Sequence, residues 1–282
     1  MDGTLRDELT AVLRTDGPVD LGRGALTIAR IGHPDLDPTP WLERLDALAA
    51  ELGPSVVSAG GPADRARALV GALAALGFRG NQDDYYEPRN SFLNDVLDRR
   101  LGIPISLSIL AIELGRRCDV RLTGVSFPGH FLLGAGEPDA PIHLDPFHGG
   151  IEVDDGALVH RLRLLARQAG RPVPEFTSVP AEFLAPAAED AILARVLRNL
   201  VRIYVERAND AHALAAVDLL LVLMPDGLNE LRTRGLLYER LGCSASAVAD
   251  FQRYLRLAPT APDAAAIELR AAKLADVAPT LH

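Results

Sequence analysis

The sequence predicts an α+β domain followed by an all-α tail. Apolar residues recur at helical spacing from Asp7 to Leu76, between Val120 and Val153 the period shortens to two, and beyond Pro180 the chain matches itself at an interval of 34 residues. Helices followed by short strands that could form hairpins make an α+β unit, and 282 residues are enough for two cores. The expected organisation is one domain over 1–170, with a helical lead over 1–80 and a core over 81–153, and a second over 181–282.

In the lead, Leu21–Ile31 and Asp37–Gly53 read as helices. In the second, Thr39 is the expected N-cap, Pro40 the first-turn residue, and Gly53 the stop. The polar stretch Asn81–Arg89 is a loop, after which Phe92, Val96 and Leu97 return to helical spacing. Another helix is expected from Ile103–Pro104 to Arg117, with Leu107, Leu110, Ala111 and Leu114 on its apolar face. Strands follow at Val120–Phe127, Gly129–Gly134, Ile142–Asp145 and Gly150–Val153. A basic helix over Leu158–Gln168 and a proline-bearing connector, Arg171–Pro180, end the first domain.

In the tail, Tyr204 and Tyr238, Ala213 and Ala247, and Pro225 and Pro259 are each 34 apart, with Gly235, Phe251 and Tyr254 completing the second copy. A 34-residue period with those residues resembles the tetratricopeptide repeat, each unit a helical hairpin that must stack on a neighbour to bury its apolar face. The first copy, about Ala194–Pro225, carries Val201 where glycine is expected. The second spans about Leu228–Pro259, and Ala261–Ala275 reads as a capping helix. Such repeats dock protein or peptide.

Composition excludes several classes. The net charge is −9 and no basic run occurs, so a phosphate-backbone footprint is missing and nucleic acid is not an expected partner. The apolar run Leu219–Met224 stops at Pro225, far short of the ~18 residues of a membrane span. The first nine residues carry acids where a signal peptide needs basic residues. With only Cys118 and Cys243, a disulfide framework is not expected and a reducing cytoplasm suits the chain. No cofactor is expected.

The candidate chemistry lies in Phe127-Pro-Gly-His-Phe131 and His143-Leu-Asp-Pro-Phe147. His130 lies in an apolar strand, and antiparallel pairing would bring Asp145 beside it, where a carboxylate fixes the imidazole tautomer and stabilises its cation. On its own, His130 could equally be a core histidine and Asp145 a turn residue. A nucleophile would stand at the start of the central helix, where the helix dipole lowers a thiol pKa. That place is held by Gly102-Ile-Pro104. Cys118 lies 14 residues further on, about 21 Å along the helix and at its unfavourable end. Ser106 and Ser108 are the remaining hydroxyls, in positions where serine commonly caps. His143 and His148 with His130 and Asp145 offer metal-ligating types, but a site would need all four to converge, and none is expected. Asn90, Ser91, Asn94, Pro104, Glu113 and Phe131 are expected to line the same cleft, or, for the asparagines and Glu113, to hold the 82–89 loop.

Together, Gly80-Asn81, Tyr85-Tyr86, Asn90-Ser-Phe-Leu-Asn94, Gly102-Ile-Pro-Ile-Ser-Leu107, Phe127-Pro-Gly-His-Phe131, Asp145-Pro-Phe147 and Gly149-Gly150 resemble the bacterial SirB-type transglutaminase-like family, a segment of which also occurs in some eukaryotic F-box proteins. The resemblance implies a papain-like core with a small antiparallel sheet followed by tetratricopeptide repeats, in proteins labelled as regulators. Carried over by position, the superfamily histidine falls on His130, its aspartate on Asp145 and its cysteine on Pro104. Two functions are therefore expected in competition. One is a catalytically silent, regulatory module that binds protein or peptide. The other is an amide or ester hydrolase, or an acyltransferase, using His130 and Asp145 with Ser106 or water as nucleophile.

Overall fold

The computed structural model describes residues 3–277 apart from 15, 16, 18, 138, 174 and 176; the expected connector Arg171–Pro180 thus lies partly outside the described residues. Four helices lead: α1 (Gly3–Leu13), α2 (Leu21–Ala29), α3 (Thr39–Val57) and α4 (Pro62–Ala75). The core follows as β1 (Arg79–Gly80), α5 (Leu93–Arg99), β2 (Leu101–Gly102), α6 (Pro104–Arg117), β3 (Thr123–Val125), β4 (Leu132–Glu137), β5 (Ala140–Asp145), β6 (Ile151–Glu152) and α7 (Asp155–Gln168). Five α-helices follow among the described residues: α8 (Glu189–Glu206), α9 (Asp210–Leu223), α10 (Leu228–Arg240), α11 (Ser244–Leu257) and α12 (Ala264–Val277). The α+β class followed by an all-α repeat tail is as the sequence predicts.

Helix α6 is the axis of the first half. Its residues are buried from Pro104 through Gly115, and it packs against α2, α3, α4, α5 and the strands β3 and β4. Each Leu or Ile removed from water there contributes roughly 1.5–3 kcal/mol, which explains why a helix with so few polar residues forms at the centre. Its start is set locally. Pro104 has no N–H to leave unpaired, and the Ser106 hydroxyl accepts the Ile103 N–H at 3.1 Å.

Two expectations fail in the lead. Helix α3 runs through Gly53 and Pro54 to Val57, because Leu45, Ala49, Leu52 and Val56 form one buried stripe and Val56 anchors a further turn. Its first N–H, on Thr39, is taken by the Asp37 carboxylate at 2.9 Å; Thr39 is the first helical residue and not the cap.

Strands β3, β4, β5 and β6 pair antiparallel in that order, while β1 and β2 form a separate two-residue parallel pair. Residues 120–122 and 126–131 lie outside strands, so the expected first two strands shorten, and His130 precedes β4 instead of lying within it. The cause is a turn at Phe127-Pro-Gly-His130, closed by the His130 N–H on the Phe127 carbonyl at 3.0 Å. Gly129 adopts φ +67°, a conformation that favours glycine, and a Cβ there would press on the Leu165 side chain of α7 at 2.9 Å.

The repeats are built as expected, α8 with α9 and α10 with α11 forming hairpins that α12 caps. The glycine of the second copy has a packing reason: a Cβ on Gly235 would lie 2.5 Å from the Phe251 ring. Helix α8 is docked onto the first half. The Ala187 N–H donates to the Gly124 carbonyl at 2.8 Å, Arg116 pairs with Glu189 at 2.9 Å, and Leu193 fills the space above Gly24 of α2.

Candidate functional site

The register Leu133↔Leu144 and Gly134↔His143 continues toward the turn and brings Asp145, the last residue of β5, opposite the His130 loop. The His130 Nε2 lies 2.7 Å from Asp145 Oδ2, and both side chains are buried. Pro146 turns the chain sharply after Asp145. The Phe147 and His148 backbone N–H groups then donate to Asp145 Oδ1 at 3.1 and 3.4 Å, and His148 Nδ1 comes within 2.8 Å of Oδ2. One carboxylate thus organises two imidazoles.

Burial alone would raise the Asp145 pKa, but hydrogen bonds and charge from His130, then His148, outweigh it and hold the carboxyl below its ordinary value. Burial lowers the His130 pKa despite Asp145. The resting pair is a neutral imidazole beside a carboxylate. A carboxylate only accepts, so His130 carries its hydrogen on Nε2 and His148 on Nδ1, leaving a lone pair on His130 Nδ1.

Both shifts give stability the same pH dependence. Below about pH 6.5 the unfolded chain takes up a proton at position 130 that the folded chain refuses, and below about pH 4 the same holds at position 145. Stability should therefore rise with pH through both windows. Melting temperatures recorded from pH 3 to 8 check this: His130→Gln should flatten the upper window, and an unchanged profile would count against a neutral buried His130.

A cavity of about 150 Å³ opens beside His130, bounded by Gly129, Phe131, Pro104, Ile105 and Tyr85. Its other wall is the repeat helix α8, which contributes Arg195, Asn199 and Arg202. Arg195 is the clasp between the halves: Nη2 donates to the His130 carbonyl at 2.7 Å, Nη1 to Ser126 Oγ, and its guanidinium stands 5.5 Å from the Phe131 ring. Arg202 stacks on Tyr86 at 4.9 Å.

Of the residues expected here, His130 and Asp145 are brought together, and Pro104 and Phe131 line the cavity. Ser106 does not line it: the buried hydroxyl donates to the Asn90 carbonyl at 2.5 Å and accepts from Ile103. Ser108 donates to the Pro104 carbonyl at 2.8 Å, the usual back-bond of a helical serine. Asn90 organises the 82–89 loop, donating to the Asp84 carbonyl at 2.7 Å and accepting from Asn81 at 3.0 Å. Ser91 and Asn94 are buried outside the cavity lining, with the Ser91 hydroxyl and the Asn94 carbonyl oxygen unpaired. Glu113 is buried against Gly22 and paired with Arg116 and Arg117. Burial pushes the Cys118 thiol up, and it sits at the far end of α6.

Ligand-capable atoms of His130, Asp145 and His148 lie within 4.8 Å of one another, a set able to hold a transition metal. In the resting arrangement both rings donate to Asp145, and Arg161 places a cation 3.8 Å from the same carboxylate oxygen. A metal would have to displace those hydrogens and tolerate that charge. His143 does not join the cluster; it lines a groove with Thr123, Gly134 and Pro186.

Sequence reasoning missed the α8 wall. Arg195, Asn199 and Arg202 recur at four and three, which marks one helical face, but nothing local tells that this face meets the His130 turn 65 residues earlier.

Fold and cleft together define a transglutaminase-like core with tetratricopeptide repeats. Residues 39–198 match the family model described as the transglutaminase-like superfamily, and 200–272 match that of the tetratricopeptide repeat. A UPF0162 protein of Xylella fastidiosa is 39% identical over 246 residues, spanning 87% of this chain and 86% of its own length. A UPF0162 protein of Vibrio cholerae is 33% identical over 208 residues, 73% of this chain and 74% of its own. Human F-box only protein 21 is 50% identical over 58 residues, 21% of this chain and 9% of that protein. No solved structure matches. The chain belongs to the UPF0162, SirB-type family of transglutaminase-like proteins. Among the described residues, no helix is long and apolar enough to cross a membrane.

Proposed function

We propose that this chain is a binding module, a transglutaminase-like cleft that has kept its His–Asp pair without a nucleophile and is joined to repeats that dock protein or peptide. The observation that carries this reading is the occupancy of the helix start. Pro104 lines the cavity with His130, and both nearby serine hydroxyls are committed to backbone carbonyls. Acyl transfer needs a group that attacks the carbonyl carbon and is regenerated, and among the described residues the side chains lining the cavity include no serine or threonine hydroxyl and no thiol, while burial keeps the Tyr85 phenol protonated and so a poor nucleophile. In this reading the His130–Asp145 pair shapes and polarises the cleft, and any regulatory role runs through protein contacts in a soluble, cytoplasmic setting, not through nucleic acid.

A second reading, hydrolysis by a water molecule with His130 as general base, draws support from the 2.7 Å His130–Asp145 contact and the free Nδ1 lone pair. One assay separates the two. The purified full chain and its His130→Ala variant are incubated with p-nitrophenyl esters, and with a glutamine peptide plus an amine. Under the binding reading the two proteins give the same background rate. A wild-type rate at least ten times that of the variant would overturn it.

A further inference from the structure

We infer that the cleft beside His130 recognises a carboxylate, so that the peptide it accepts presents an aspartate or glutamate side chain or a chain terminus there. This rests on the reading of the cleft as a binding site and names the chemistry of its ligand.

The argument is one of uncompensated charge. The chain carries 38 acidic and 29 basic residues, and about half of its arginines stand within ion-pair distance of a carboxylate, Arg198 of the same helix α8 among them. The two arginines facing this cavity do not. Arg195 has only a hydroxyl and two carbonyls as hydrogen-bond partners, and burial depresses its pKa with no carboxylate to oppose it. Arg202 has the Tyr86 ring and no anion within ion-pair distance among the described residues. A half-buried guanidinium without a counter-charge, as at Arg195, is costly to maintain, and a bound anion would repay that cost; Arg202 is exposed and free to turn toward it.

Further groups face the same space. Asn199 stands between the two arginines with its amide unbonded among the described residues, and Tyr85 presents a phenol that burial keeps protonated and able to donate. The start of α6 also opens here. Pro104 has no N–H and Ile105 cannot find an intrahelical acceptor so early in the helix, so the positive end of a 14-residue helix points at the cavity. His130, neutral, adds no negative charge, and Asp145 stays behind it, paired with two imidazoles. About 150 Å³ suits a carboxylate with a few carbons and is too small for a nucleotide. Arg202 also lines a second, more apolar groove of about 340 Å³ along α8, with Val201, Val205, Val217 and Leu220. An apolar groove on the far side of the same arginine favours a peptide as the carrier of the carboxylate.

The test uses the full chain labelled with 13C-histidine, titrated with N-acetylglutamate amide, N-acetylglutamine amide and inorganic phosphate while the His130 ring resonances are followed by NMR. Expected is a dissociation constant for the glutamate compound at least ten times lower than for the glutamine compound. Arg202→Gln, an exposed position that leaves the fold intact, should reduce that ratio below two. Equal affinity of the two amides at the His130 ring would overturn the carboxylate assignment while leaving a binding cleft. Phosphate binding more tightly than the glutamate compound would overturn it in favour of a phosphate ligand, and absence of any His130 shift would overturn it outright. Conversion of the glutamine compound to glutamate in the tube would instead refute the non-catalytic reading.

Discussion

Arg234→Ala should cost about 3–5 kcal/mol of stability, the largest effect expected of any single charge removed from this chain. Arg234 of α10 forks onto Asp250 of α11, with Nε and Nη2 each 2.7 Å from a carboxylate oxygen, and reaches Asp218 of α9 through Nη1 at 2.8 Å. All three are largely withdrawn from solvent, and the two carboxylates push the guanidinium pKa well above its ordinary value. This one side chain ties the last helix of the first repeat to both helices of the second. Its truncation strands two buried negative charges near each other. Calorimetry should record a fall in Tm on the order of 10 °C. Replacing all three at once, Arg234→Met with Asp218→Leu and Asp250→Leu, should recover most of the loss, because no unpaired charge is then left behind. A fall below about 1 kcal/mol for Arg234→Ala would show that water reaches the triad and that apolar stacking alone joins the repeats.

The triad also shows what a sequence carries and what it withholds. The 34-residue spacing of Tyr204, Ala213 and Pro225 with their second copies is a repeated packing solution, so the hairpins were readable, although α8 begins at Glu189, ahead of the expected Ala194. The start of α6 was readable at Pro104 because a proline before an apolar helical stripe has few other uses. His130 and Asp145 were readable as a pair because strands joined by a short connection pair antiparallel. What failed were competitions between a local signal and a distant contact. Gly53 and Pro54 end helices in isolation, but the burial of Val56 outweighed them. Ser106 looked available in one dimension, and only the fold brings the Asn90 carbonyl to it across 16 residues. The arginines of the cleft wall are ordinary surface residues of a repeat helix until that helix docks. Half of the cleft is thus written in motifs and half in the packing of α8 against the core, for which the sequence has no local code.

Introducing a thiol at the helix start, Pro104→Cys in a Cys118→Ser, Cys243→Ser background, should create a cysteine that ionises below about pH 7.5, within the range of thiols activated by a helix terminus and a nearby histidine. The substitution is compatible with the fold. The first helical position has no intrahelical acceptor, so the new N–H joins a group already left to solvent or ligand, and the lost proline contributes only a favourable φ. What it gains depends on geometry that is already present. Position 104 and His130 bound one cavity, His130 Nδ1 is unprotonated and aimed away from Asp145, and Asp145 is in place to stabilise the imidazolium that forms when the thiol proton is transferred. Arg195 and Arg202 add positive charge on the facing wall. The rate of iodoacetamide alkylation against pH checks this, with N-acetylcysteine amide as the free-thiol reference near pH 8.5. His130→Ala in the thiol variant should move the midpoint back toward the reference by more than one unit. A midpoint at or above 8.5 in the thiol variant itself would mean that the cleft has drifted from acyl-transfer geometry as well as lost its nucleophile. A depressed midpoint would mean that a single proline separates this binding cleft from a reactive one, and that the His–Asp pair and the arginines are kept in working register for their ligand.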